Sequence, residues 1–81
     1  MIATIRLKIQ KDITPDREKK ILKLKGSLIT NGFTDIVYIT DEGLDYHINH
    51  FTVTAETKGE ALEFIKSYVS NHGLTDLVTV L

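Results

Sequence analysis

The chain opens with strict alternation. In TIRLKIQ (4–10), Ile5, Leu7 and Ile9 fall on one side, and Thr4, Arg6 and Lys8 on the other. A period of two with one apolar side predicts a half-buried strand. The period then lengthens. Ile21, Leu24 and Leu28 recur at helical spacing, flanked by Leu22 and Ile29, which is the stripe of a helix packed on one side. Thr14 precedes Pro15, with Asp16 and Glu18 close behind. That order supplies an N-cap, a proline at the first helical position and acidic groups at the positive helix end. Asn31-Gly32 supplies a left-handed stop, and Phe33 can fold back on the last turn.

Alternation returns in TDIVYIT (34–40) and again in YHINHFTVTAE (46–56), joined by the polar connection DEGLD (41–45). Thr57 and Glu60 have capping-box spacing. The second helix presents Ala61, Leu62, Ile65, Tyr68 and Val69, stops at Gly73, and leads to a last strand in LTDLVTVL (74–81). One phrase occurs twice, as NGFTDIVYI (31–39) and HGLTDLVTV (72–80). Each copy falls where a helix stops and a strand begins, so each half of the chain is a strand–helix–strand unit. The order β-α-β-β-α-β with right-handed crossovers predicts an α+β fold, a single ferredoxin-like domain over residues 1–81. Its four-stranded antiparallel sheet has the order 4-1-3-2, with two helices on one face. Both repeated segments are then sheet edges, and the Asp opening each one guards against edge pairing.

Parity assigns the faces. Val37, Ile39, Val78 and Val80 should face the helices, as should Phe51, Val53 and Ala55. The outward set is Ile36, Tyr38 and Thr40, then Tyr46, Ile48, His50, Thr52 and Thr54, with Leu77, Thr79 and Leu81 on the far edge. A five-residue connection sets Tyr38 near Ile48 and Thr40 near Tyr46. The uncovered face therefore has a polar centre around Arg6, Lys8 and His50 and an apolar corner of Ile36, Tyr38, Tyr46 and Ile48. Large side chains on an uncovered sheet face mark a contact surface, and tyrosine combines contact area with a polar tip. His47 and Asn49 break the pattern. They share parity with Phe51, so either they lie beyond the helices on a protruding hairpin or a bulge resets the alternation.

Composition narrows the chemistry. The 81 residues are 42% hydrophobic and 26% charged, enough for one core and too apolar for disorder. No Cys is present, which removes disulfides, thiolate metal sites and a Cys nucleophile. Nothing reads as a signal peptide or a membrane span, so a cytoplasmic location without membrane contact is the expectation. Residues 1–25 hold eight Lys/Arg against three Asp/Glu, and residues 26–81 hold two against eight. Such a split suits an electrostatic contact within the fold or between chains.

No catalytic, cofactor or metal site emerges. His47 and His50 are three apart in a strand and point to opposite faces, so they cannot share an ion. His72 suits a helix C-terminus. Asp41, Glu42 and Asp45 lack the spacing of a calcium loop. The five glycines are isolated, so no phosphate loop is present. RNA-recognition motifs share this topology but stack bases on aromatics of the two central strands. Here those strands hold Thr4, Arg6, Lys8, His50, Thr52 and Thr54 outward, and Lys19, Lys20 and Lys23 lie on the opposite layer. The Cys pair of heavy-metal chaperone domains, the Gly-rich arginine loop of acylphosphatases and the glycine-containing ligand turn of amino-acid-binding regulatory (ACT) domains are all missing. The expectation is a non-catalytic protein-interaction module. It would act as a homo-oligomeric subunit, or as a small accessory or inhibitor protein, docking through Arg6, Lys8, Ile36, Tyr38, Tyr46, Ile48 and His50. Nucleic-acid binding and an ACT-like small-ligand subunit rank below it.

Overall fold

The computed structural model describes residues 1–35 and 37–81; Ile36 lies outside the described residues. Six elements follow in order: β1 (Ile2–Gln10), α1 (Pro15–Thr30), β2 (Val37–Glu42), β3 (Tyr46–Thr54), α2 (Lys58–Asn71) and β4 (Val78–Val80). The strands form an antiparallel sheet in the order β2-β3-β1-β4, which read from the other edge is 4-1-3-2. Both helices share one core with the same side of the sheet. Ile5, Leu7, Ile9, Phe51 and Val53 pack there with Ile21, Leu24 and Leu28 of α1 and Ala61, Ile65 and Val69 of α2. Among the described residues no helix is long and apolar enough to cross a membrane.

The repeated phrase builds the same helix stop twice. Gly32 and Gly73 both take positive φ, +76° and +66°, a conformation glycine adopts without a Cβ clash. One residue on, the Phe33 amide donates to the Leu28 carbonyl and the Leu74 amide to the Val69 carbonyl, each at 2.9 Å. This is the six-to-one bond of a Schellman stop, with an apolar residue closing over the helix end. The copies then part. In the second, the amides of Leu77 and Val78 both donate to the Leu74 carbonyl at 3.0 Å. That turn delays the strand to Val78, so the last strand is shorter than the alternation predicts. It also swings Leu77 into the core, where it is buried instead of facing outward.

Three further expectations are corrected. The hairpin loop is residues 43–45, since Asp41 and Glu42 continue β2. They stay in the sheet because each has a partner. Asp41 Oδ1 lies 3.1 Å from Lys11 Nζ and 3.2 Å from His47 Nδ1, and Glu42 Oε2 lies 3.5 Å from Lys8 Nζ. The register moves accordingly, setting Tyr38 opposite His50, Thr40 opposite Ile48 and Glu42 opposite Tyr46. The Thr57 capping box does not form. Thr57 has a helical backbone, and its hydroxyl sits 2.7 Å from the Thr54 hydroxyl, tying the end of β3 to the start of α2. Ala55 falls beyond β3 and is exposed. At α1 the expected cap is present, with Thr14 Oγ1 accepting from the Arg17 amide at 3.4 Å and Pro15 next in line.

Candidate functional site

The register arranges the uncovered face in three rows across β1, β3 and β2. One row is Arg6, His50 and Tyr38; the next is Lys8, Ile48 and Thr40; the third is Gln10, Tyr46 and Glu42. Thr79 of β4 extends the middle row beyond Lys8. Six of the seven residues singled out from the sequence are thus brought together; the seventh, Ile36, lies outside the described residues.

Ile48 occupies the middle of this array, and its exposure corrects the expectation. It is on the uncovered face yet only 8% exposed. Its neighbours close over it in two groups. The Tyr38 ring stacks on His50 with centroids 4.4 Å apart and planes 4° from parallel. Thr40 Oγ1 lies 2.9 Å from His50 Nε2, holding that imidazole in place. On the other side, Lys8 Nζ sits 4.4 Å from the Tyr46 ring centroid and 3.5 Å from Glu42. A cation over an aromatic face is attracted by the ring quadrupole. The apolar corner is therefore a buried isoleucine beneath two ordered polar–aromatic groups. Tyr38, Arg6, Thr40 and Glu42 remain exposed above it.

A second feature lies on the helix side and was not assigned a role by sequence reasoning. The continuous pairing of β1 with β3 admits no bulge, so His47 and Asn49 do face the helix layer. Asn49 is not on a protrusion: it is 2% exposed, between Leu7 and Ile39 in register. Its Oδ1 is enclosed without a hydrogen-bond partner. Such an orphan acceptor costs about 1–3 kcal/mol. Asn49 lines a cleft of about 260 Å³ between α1 and the β2–β3 hairpin. Ile9 and Ile21 line it at buried positions, while Leu22 and Ile39, both more than half exposed, flank its mouth. Lys25 enters from α1, and its ammonium is held below the usual lysine range by burial, an effect that Glu18 partly offsets. The parity anomaly of Asn49 was the signal in the sequence. Its meaning needed the position of α1.

The hairpin rim near this cleft is braced by Asp41. Its carboxyl is held below the usual range chiefly by hydrogen bonding and attraction from Lys11, with a smaller contribution from His47. The Lys11 ammonium also donates to the Gly43 carbonyl at 3.3 Å. This group closes the turn and leaves Asp41 no room for another role.

No protein-family model matches this chain, and no curated protein or solved structure matches it either. The site must therefore be read from its own chemistry.

Proposed function

We propose that the chain is a ferredoxin-like domain whose uncovered sheet face docks a second copy of itself, so that it acts as a non-catalytic, homo-oligomeric interaction module. The observation that carries this reading is the layout of charge on the face. Arg6 and Glu42 sit at opposite corners of the three rows, with Ile48 between them. A twofold axis in the sheet plane, through Ile48 and across that diagonal, sets Arg6 of each copy over Glu42 of the other. The same operation brings the two Tyr38 rings side by side. Isologous contacts require this kind of self-complementarity. Tyrosines held in place by stacking lose little entropy on docking.

The dimensions bound the strength. Nine-residue strands run about 30 Å and four strands span about 19 Å, so two faces bury on the order of 1,000 Å² in total. That is the low end of specific interfaces and implies a concentration-dependent dimer. Nucleic acid is the weaker reading for this face. Its lysine is already engaged by Glu42, whereas backbone binding needs several cations free to neutralise phosphates. The test is a charge swap. Arg6→Glu and Glu42→Arg each place like charges across the twofold axis and weaken the dimer about tenfold or more. The double swap restores it. A dimer indifferent to both single swaps rejects the docking mode.

A further inference from the structure

We propose that the cleft between α1 and the β2–β3 hairpin binds a small aliphatic carboxylate that carries a hydrogen-bond donor on the carbon beside the carboxylate, the chemistry shared by 2-hydroxy and 2-amino acids. Three observations converge on that class. Asn49, 2% exposed, lines the cleft with an Oδ1 that has no partner, so a ligand must bring an N–H or O–H. Lys25 lines it as a cation with no close ion pair among the described residues, so a ligand must bring an anion. Ile9, Ile21, Leu22 and Ile39 make the rest of the lining mainly aliphatic, so the body must be apolar. The volume, about 260 Å³, equals about nine waters at their liquid volume of ~30 Å³ each. Leucine and 2-hydroxyisocaproate, with nine heavy atoms each, are of that scale.

The physical logic is that both polar groups are poorly served in the empty protein. Burial opposes charge on Lys25, and a carboxylate beside it reverses that opposition. Asn49 gains its missing bond in the same step. A buried carboxamide that is kept without a partner is what a ligand site, in contrast to a core position, requires. The cleft is on the helix layer and the docking face is on the other side of the sheet, so the two proposals stand or fall separately.

The test is titration of the full chain, labelled with ¹⁵N, with 2-hydroxyisocaproate, leucine and isocaproate, followed by amide shifts. Isocaproate has the same body and carboxylate but lacks the donor. Saturable shifts are expected at the Asn49 side-chain amide and along residues 18–25 and 47–49. Isocaproate should bind about tenfold more weakly than whichever donor-bearing acid binds best. The hydroxy and amino acids separate the two sources, because Glu18 favours an ammonium and leaves a hydroxyl indifferent. Lys25→Met, at a partly exposed position, should weaken binding about tenfold while the fold is kept. Asn49→Leu should abolish the preference for a donor and leave the apolar contribution. Absence of saturable shifts for all three acids at about 10 mM, a range that captures even millimolar binding, overturns the proposal. So does equal binding of isocaproate and the donor-bearing acids, or a Lys25→Met chain that binds as before.

Discussion

The two halves of the chain share a phrase and diverge in how well they are covered. In the half built from β3, α2 and β4, the helix buries Ala61, Ile65 and Val69 and packs Leu62, Phe64 and Tyr68 around them. Leu74 and Leu77 behind it are both buried. In the half built from β1, α1 and β2, the helix buries Ile21, Leu24 and Leu28 but leaves Leu22 58% and Ile29 48% exposed. Ile39, on the helix side of β2, is 51% exposed. The same helix stop thus supports a closed half and an open one, and the cleft lies in the open one. A duplicated motif fixes chain direction. The coverage depends on which side chains each helix carries.

The largest expected contrast is between the apolar residues that close the two stops. Leu74→Ala removes a side chain that is fully buried and should cost about 3 kcal/mol. Phe33→Ala removes a half-buried ring and should cost about 1.5 kcal/mol. Urea unfolding of both variants measures the difference, and equal losses would erase the distinction between closed and open halves. Next come the two glycines. Gly32→Ala and Gly73→Ala each force a Cβ into the left-handed region and should each cost about 1 kcal/mol. Unequal costs would show that the stops are not equivalent.

Smaller effects sharpen the open half. Gly26 stands inside α1 with open space where a Cβ would go, so Gly26→Ala should raise stability by about 0.5–1 kcal/mol. Thermal unfolding checks this, and destabilisation would reveal a contact at that surface. The smallest effects are the pH responses. Burial lowers the Lys25 pKa below 10.5 in the folded chain. Between that folded value and 10.5 the unfolded chain holds more protons, so stability rises with pH through the window. Lys25→Met should flatten that rise. The Asp41 carboxyl is shifted the other way. Its contribution is present above the unfolded value of 3.8 and is lost as pH falls through the folded value. Asp41→Asn should remove that acid-limb dependence in an acid titration of unfolding.

Much of the architecture was legible because it rests on local rules. Thr14-Pro15 starts a helix, Gly32 and Gly73 end one, and alternation in residues 4–10 makes a strand without outside help. The misreadings lie where a distant partner decides. Asp41 and Glu42 read as loop residues, yet Lys11, His47 and Lys8 across the sheet keep them in the strand. Thr57 read as a capping residue, yet Thr54 takes its hydroxyl. Ile48 was placed on the right face, but its burial depends on the Tyr38–His50 stack and the Lys8–Tyr46 contact above it. Asn49 declared itself only as an exception to parity. The enclosure that gives it meaning comes from α1, about twenty-five residues earlier in the chain.

Solution mass across a wide concentration range tests the central claim most directly. Light scattering of the separated chain should move from the monomer mass of 9.1 kDa toward twice that value as concentration rises. Arg6→Glu and Glu42→Arg should each hold it near the monomer, and the double swap should restore the rise. A mass fixed at 9.1 kDa at every concentration would contradict docking of the sheet face on itself.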